Sequence, residues 1–559
     1  MTSNLLTLSN RQLDLALHAI PDPTSTDERS IQKAIISMKM IVREIDSDPD
    51  FIHAYASTLG YSWPNIWEWI TFIHHRCVIE RRHGEPLRDH SLRVIPDIIT
   101  ALCRQYEPSL HPLVFNTSGI FELVTPYWLR EDIDNKRHLT NDTRFAANFS
   151  TALTFLLPPD HVIPRLLSLI IDSAEGGETE VARVAISHAR AVFLCGNRDY
   201  DDSAVVHLQL IFSFLRQECP SLKLAMFKEG SMEAVVSILD MIAGESPEAV
   251  DIEAMMTCYG ILSRALTVAC SLTFITEGLH AGLLQAMLRG GRHLMHPDMP
   301  PIIVKTALAC FEKVHQLMVY RSFLRPLGKA VKTTDGNGID EHTSGPLWDA
   351  WRGLKVTTVE RLKDMDVFDR KEIDREKVSD CTLLACQVRR SGIKLKRCTG
   401  CLEVFYCSTT CQKLDWKNHK AQCLKIQDDR QKGTMMPIST LDRGFLHYVA
   451  FADIQKHLTE VLSIIKSNYP TTPYSSLLVR MDYSDPPMEP LVILASSFTY
   501  VDDEEKRCVQ DLLKLSGLSA GGQITLICFV LVPGTPMTER RSWPQLAVLR
   551  LPGSNGMAT

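Results

Sequence analysis

The stretch from Cys381 to Cys423, CTLLACQVRRSGIKLKRCTGCLEVFYCSTTCQKLDWKNHKAQC, holds seven of the chain's sixteen cysteines and constrains the fold more than any other. Its spacing is Cys381-x4-Cys386-x11-Cys398-x2-Cys401-x5-Cys407-x3-Cys411-x7-His419-x3-Cys423. Thiolate and imidazole suit zinc, and a short Cys-x2-Cys or Cys-x3-Cys step turns two ligands toward one metal. His419 and Cys423 stand four residues apart, so on a helix they share a face. Eight such ligands make two closed tetrahedral zinc sites with no open position, structural rather than catalytic. So few apolar residues cannot build a core, and metal binding supplies the missing folding free energy, roughly 10–16 kcal/mol in zinc-finger peptides.

Three other uses of the cysteines fit less well. A disulfide framework belongs with a secretory signal, and MTSNLLTLSNRQLDLALHAIPD at the N-terminus has neither a basic leader nor an unbroken apolar centre. The stretch is too polar and regular for chance core cysteines. An iron–sulfur cluster suits eight ligands including His419 less well than two mononuclear sites do.

The order of ligands, the Phe405-Tyr406-Cys407 step, Cys411-Gln412 and Asp415-Trp416-Lys417-Asn418-His419 together resemble the MYND-type zinc finger. The resemblance covers the finger and no more. It implies interleaved sites, with Cys381, Cys386, Cys407 and Cys411 on one zinc and Cys398, Cys401, His419 and Cys423 on the other, two Zn(2+) per chain. It also implies a protein-interaction module that takes a short proline-containing peptide beside the last helix, where Gln412 and Trp416 occupy the matching positions. One departure is the first pair, separated by Thr382 to Ala385 where the family usually has two residues. Packing over the zinc helix is the competing role for Trp416. The formal charge of +6 between residues 381 and 423 falls to about +3 once seven thiolates and two zinc ions are counted. Nucleic acid is therefore a minor expectation as partner, and the lysines read first as a solvated surface that offsets the thiolates.

Before the finger, residues 1–330 read as an all-helical region similar to armadillo or HEAT repeats. Apolar residues recur at three- and four-residue intervals over Ile31 to Ile45, Asn65 to Arg82, Ser91 to Tyr106, His161 to Ala174, Glu178 to Cys195, Ala204 to Glu218, Met232 to Ala243, Ala249 to Leu266 and Pro301 to Met318. A loose repeat pairs Phe227 and Gly230 with Phe274 and Gly278, and more poorly with Phe115 and Gly119; an irregular bundle is the alternative. Residues 331–380 read as a linker, Val331 to Leu347, and a connecting helix, Trp348 to Asp366. A second linker over 424–440 leads to a small α/β domain, 441–559. There a long helix (Leu446 to Tyr469), strands (Ser476 to Tyr483, Leu491 to Ser497), a helix (Asp502 to Leu515), a strand (Gln523 to Val532) and a further strand segment (Ala547 to Leu551) are expected. The fold class expected is multidomain and mainly α, with a two-zinc finger and a C-terminal α/β domain.

The scan for catalysis is mostly negative. There is no Gly-x-Ser-x-Gly, phosphate loop, Gly-x-Gly-x-x-Gly or His-Glu-x-x-His. Lysine methyltransferases with a similar finger inserted in a SET domain are the nearest enzymes, but Gly336-Asn337-Gly338 lies in a linker and Asn418-His419 belongs to the finger. Asp335-x-Asn337 lacks the glycine and the acidic twelfth position of a calcium loop. His74, His75, Cys77 and His83 lie along one helix, but the adjacent His74 and His75 point apart, so structural histidines are expected there ahead of a metal site; Asp502 to Glu505 suit a helix N-terminus. Cys258 and Cys310 sit in apolar helices as inert thiols. A net charge of −6 gives no general attraction to nucleic acid or anionic membrane, and no apolar run is long enough to cross a bilayer. The expectation is a cytoplasmic or nuclear, non-enzymatic scaffold with a protein partner. A transcriptional regulator acting through the finger comes second, and an enzyme with its site elsewhere is more remote.

Overall fold

The structure is a computed structural model and describes residues 27–47, 51–104, 107–130, 143–157, 164–194, 203–217, 219–244, 252–267, 271–295, 299–336, 345–375, 381, 383, 386, 395–401, 404–431, 438–483, 490–498, 510, 517–518, 523–532 and 541–550. It divides into two compact units, Met1–Ala234 and Val235–Thr559.

The first unit is helical throughout its described residues. Its helices are α1 (Glu28–Ser47), α2 (Phe51–Ile73), α3 (Glu85–Cys103), α4 (His111–Phe115), α5 (Ile120–Leu129), α6 (Thr143–Leu156), α7 (Pro164–Asp172), α8 (Gly177–Leu194), α9 (Ser203–Arg216) and α10 (Pro220–Lys228). On α1 the buried residues Ile31, Ala34, Ile35, Met38, Ile41 and Ile45 repeat at three and four, the pattern of one helical face. Large aromatics fill the interior: Trp63, Trp69, Trp128, Phe149 and Phe214 are fully buried. Trp63 Nε1 donates to Thr117 Oγ1 at 2.7 Å, so its one polar atom is satisfied.

Two helices begin earlier than the sequence pattern places them. The helix expected from Asn65 begins at Phe51 and carries Pro64 in its interior, and the one expected from Ser91 begins at Glu85 and carries Pro96. A buried apolar face of nine residues outweighs the hydrogen bond that Pro64 cannot donate. The stretch then winds more loosely, as a π-helix over His74–Ile79.

The second unit continues with α11 (Ser231–Ala243, which crosses the boundary), α12 (Ile252–Thr267), α13 (Ser271–His280), α14 (Leu283–Gly291), α15 (Pro301–Gln316), α16 (Arg321–Gly336) and α17 (Pro346–Arg375). The internal repeat takes a different register from the one expected. Gly119, Gly230 and Gly282 have φ of 87°, 87° and 96°, the left-handed region, and each joins two helices. In each case the glycine carbonyl accepts the first helical bond, from Leu123, Ala234 and Ala286 at 3.0, 3.2 and 3.0 Å. Gly278, paired with Gly230 in the sequence, lies inside α13, and Gly282 is its structural counterpart.

The linker expected over Val331 to Leu347 is partly helix. α16 runs to Gly336 with Val331 and Thr334 buried, 337–344 lie outside the described residues, and α17 begins at Pro346. The finger comes next, with strands β1 (Lys396–Arg397) and β2 (Phe405–Tyr406) and helix α18 (Thr409–Gln431). After it run α19 (Thr440–Lys456) and α20 (Leu458–Asn468). The single long helix expected there is two, because His457 (φ −95°, ψ 13°) steps out of the helix and its carbonyl restarts it at Val461. Ser439 and Asp442 form a capping box at the start of α19. Asp442 also accepts the Ser322 N–H at 2.7 Å. Buried Arg361 of α17 grips Asp453 of α19 at 2.9 and 2.6 Å, and Tyr483 donates to the same carboxylate at 2.8 Å. The helices on either side of the finger are thus pinned to each other.

The C-terminal sheet holds β3 (Leu477–Asp482), β4 (Pro490–Leu494), β5 (Gly517–Leu518), β6 (Gln523–Val532) and β7 (Arg541–Arg550). β3 pairs parallel with β6, and the other pairings are antiparallel. The strand segment expected at Ala547 is the end of β7, and Leu491 to Ser497 leaves the strand at Leu494 for a 3₁₀ turn. The helix expected over Asp502 to Leu515, with its acidic start, lies outside the described residues apart from Gln510.

Candidate metal centre

Two short strands and one helix build the finger. β1 pairs antiparallel with β2, and Cys398 N–H donates to Val404 O at 2.9 Å, closing a hairpin whose tip is Cys398 to Cys401. The helix α18 then carries Cys411, His419 and Cys423. Ser408 caps it, its Oγ accepting the Cys411 N–H at 3.1 Å.

Helix geometry divides the ligands. Cys411 and His419 are eight residues apart, roughly 80° around the helix and about 12 Å along it, too far to share a metal. His419 and Cys423, four apart, are about 40° from each other. The structure accordingly brings together two sets, Cys381 with Cys386, Cys407 and Cys411, and Cys398 with Cys401, His419 and Cys423. Among the described residues these are the groups of three or more whose ligand atoms lie within 4.8 Å of one another.

Their separations are those of ligands on a common metal. Two sulfurs bound about 2.3 Å from a tetrahedral zinc lie about 3.8 Å apart. The observed Sγ–Sγ distances are 3.6 Å for Cys386–Cys407, 3.5 Å for Cys407–Cys411, 3.8 Å for Cys386–Cys411 and 3.7 Å for Cys398–Cys423. Cys401 Sγ lies 3.4 Å from His419 Nε2. A disulfide would need about 2.05 Å, and none of these cysteines is in a disulfide. The four-residue spacer of the first pair does not keep Cys381 out of its cluster, and a Leu383 O to Cys386 N–H turn at 2.8 Å folds the loop back.

The two sites differ in shelter. Every ligand of the second site is 5% exposed or less, whereas Cys381, Cys386, Cys407 and Cys411 are half-buried. The finger's small core is Cys398, Cys401, Tyr406 and Cys423, so the ligands of the second site are most of what is buried there. Burial works against the Cys398 thiolate, but the N–H groups of Cys401 and Gly400 and the His419 ring favour it and bring its pKa to about 6. Burial and the adjacent Asp415 carboxylate hold the Tyr406 phenol protonated, and it donates to Asp415 Oδ2 at 2.8 Å. The edges of Tyr406 and Trp416 meet the His419 ring at 6.2 and 6.0 Å between centroids. Such neighbours orient a ligand imidazole. The donor set and spacing fit two zinc ions, each with four protein ligands.

Sequence reading passed over the residues that shape the site. Gly400 is tucked so close that a Cβ there would sit 2.9 Å from Cys423 Sγ. The signal was the glycine between the cysteines of the Cys398-x2-Cys401 step. Tyr406 and Ser408 were visible only as neighbours of Cys407. Gln412 is half-buried and Trp416 is 39% exposed, one turn apart on α18. Trp416 therefore both covers His419 and faces solvent.

The histidine group at the end of α2 is not a site. His74 bonds the Tyr127 hydroxyl at 2.7 Å, and burial, with His75 beside it, lowers its pKa to about 4. His75 faces Glu80 at 3.5 Å on the surface, Cys77 is buried, and His83 lies beyond the π-helix. Cys310 is buried, and burial pushes its thiol up to about 12, as an inert core residue requires; Cys258 is equally buried. No helix among the described residues is long and apolar enough to cross a membrane.

Comparison with known proteins agrees on the finger. The family model of the MYND finger matches residues 384–423. The chain is 39% identical over 49 residues to "SET domain and MYND-type zinc finger protein 6" of Schizosaccharomyces pombe, 9% of this chain and 10% of that protein. It is 36% identical over 76 residues to "N-lysine methyltransferase SMYD2-B" of Xenopus laevis, 13% and 17% of the two chains. It is 44% identical over 41 residues to "SET domain-containing protein 14" of Caenorhabditis elegans, 7% and 10%. The chain thus spans about a sixth or less of the curated relatives it matches, and the shared part is the finger. Between Cys381 and Cys423 the chain carries a MYND-type finger with two zinc-binding clusters.

Proposed function

We propose that this protein is a non-enzymatic interaction scaffold, cytoplasmic or nuclear, whose finger docks a proline-containing peptide of a partner protein against Gln412 and Trp416. The observation that carries this reading is Trp416, a large aromatic left 39% exposed on a helix fixed by two metal clusters. A rigid, half-exposed aromatic is what a peptide's apolar residue packs on, and such residues dominate binding energy. Gln412, one turn earlier, supplies amide donors and acceptors to a peptide backbone. Each cluster already has four protein ligands, which leaves the metals no position for substrate. The names of the relatives describe methyltransferase or SET-domain proteins, with which this chain shares the finger alone.

The test is binding of the full-length, zinc-loaded protein to an array of proline-containing peptides, followed by titration of the best binder. Trp416→Ala should weaken it about 30-fold or more, a loss of about 2 kcal/mol, with zinc content unchanged. Gln412→Ala should weaken it less. Unchanged affinity in both variants overturns the reading.

A further inference from the structure

The face of α18 beside Trp416 carries information about the chemistry of the docked peptide, given that a peptide docks at Trp416 at all. Lys413, Lys417, Lys420 and Leu424 follow one another at four, three and four residues, which lines them along a single face of the helix. All four are exposed, Leu424 to 51%. Trp416 adjoins the row, three residues after Lys413 and four before Lys420. None of the three lysines makes an ion pair among the described residues. Asp415, an acidic residue in the same turns, is occupied by Tyr406.

The thiolates do not use up this charge. They are gathered around the metals, and the finger remains about +3 with seven thiolates and two zinc ions counted. The row therefore presents three uncompensated cations with an aromatic at one flank and a leucine at its end. From Lys413 to Leu424 it runs about 16 Å, the length of about five residues of extended peptide.

We infer that the finger's partner is an acidic peptide, whose proline or other apolar residue packs on Trp416 while aspartate or glutamate side chains pair with Lys413, Lys417 and Lys420. Peptide fits this face better than nucleic acid does. The whole chain carries −6, which repels a long polyanion. The row is short and ends on Leu424, which has no use for phosphate. A peptide of alternating acidic and apolar side chains matches both features.

The test uses the full-length, zinc-loaded protein against a peptide library with one fixed proline and randomised flanks. Aspartate and glutamate should be enriched in the flanks. A best binder taken from this selection should lose about tenfold in affinity between low salt and about 0.3 M salt. The triple variant Lys413→Gln, Lys417→Gln, Lys420→Gln should lose both the acidic enrichment and the salt dependence while keeping apolar selection and zinc. Apolar enrichment without acidic enrichment overturns the acidic partner and leaves the docking reading standing. No enrichment over a Trp416→Ala control overturns both. Displacement of the peptide by a mixed-sequence single-stranded oligonucleotide that binds more tightly would make the row a nucleic-acid surface and overturn the proposal.

Discussion

Gly400→Ala tests the second metal site at its tightest point. A Cβ on residue 400 would stand 2.9 Å from Cys423 Sγ and 3.9 Å from Cys398 Sγ. Ordinary contact begins near 3.4 Å, so about half an ångström has to be found. In a loose core the sulfur would retreat. Here Cys423 Sγ lies 3.7 Å from Cys398 Sγ, the spacing a shared zinc would impose, and with zinc bound any retreat of that sulfur would lengthen a bond of about 2.3 Å. The hairpin tip must shift instead, and it supplies the Cys401 and Gly400 N–H groups that favour the Cys398 thiolate. Overpacking a site of this kind costs about 1–3 kcal/mol. Because metal and fold are linked, that becomes zinc affinity, about 5- to 150-fold weaker at one site. The assay is equilibrium competition with a colorimetric chelator on full-length protein. Gly353→Ala is the control, since a Cβ there meets nothing within 4 Å and the residue sits exposed inside α17. It should leave zinc unchanged and stabilise the helix by about 0.5–1 kcal/mol. A Gly400→Ala protein with the wild-type competition curve would refute the packing argument.

Chelation of the wild type should proceed in two phases, the half-buried Cys381, Cys386, Cys407 and Cys411 site first and the buried site second; a first phase abolished by Cys398→Ser rather than by Cys386→Ser would reverse that order. Asp453→Ala strands buried Arg361 and the Tyr483 hydroxyl, and urea unfolding should show about 3–5 kcal/mol lost; a loss below about 1 kcal/mol contradicts the pinning of α17 to α19. Burial lowers the His207 pKa to about 4, so between that value and the unfolded value near 6.5 the native state binds fewer protons. Its contribution is whole above about pH 6.5 and falls as pH drops toward 4, with about 2 kcal/mol gone by about pH 5. His207→Leu should remove that part of the difference in urea stability between about pH 7 and about pH 5, and an identical difference in both proteins would count against it.

Some of this molecule was legible in the sequence because the physics is local. The i,i+4 step from His419 to Cys423 and the Cys398-x2-Cys401 turn are short-range geometry, and amphipathic repeats such as Ile31 to Ile45 mark their own helices. What was missed depends on partners distant in the chain or on competition between rules. Pro64 looks like a helix start until the burial of Trp63 and Trp69 on either side of it is known. Gly278 and Gly282 are equally good turn residues on paper, and only φ of 96° at Gly282 selects between them. The break at His457 has no proline or glycine to announce it. The Val331 to Gly336 segment looks polar, yet Val331 and Thr334 are buried. The tightness of Gly400 follows from a sulfur 23 residues away, which no local pattern records.

That Cys381 to Cys423 folds around two metals underlies the finger, its helix and the docking face alike, and elemental analysis of freshly purified full-length protein puts it to the test. Wild type should carry two zinc ions per chain and Cys401→Ser no more than one, with the helices of residues 27–336 still resisting limited proteolysis. Less than one zinc in the wild type, or two retained in Cys401→Ser, would contradict it.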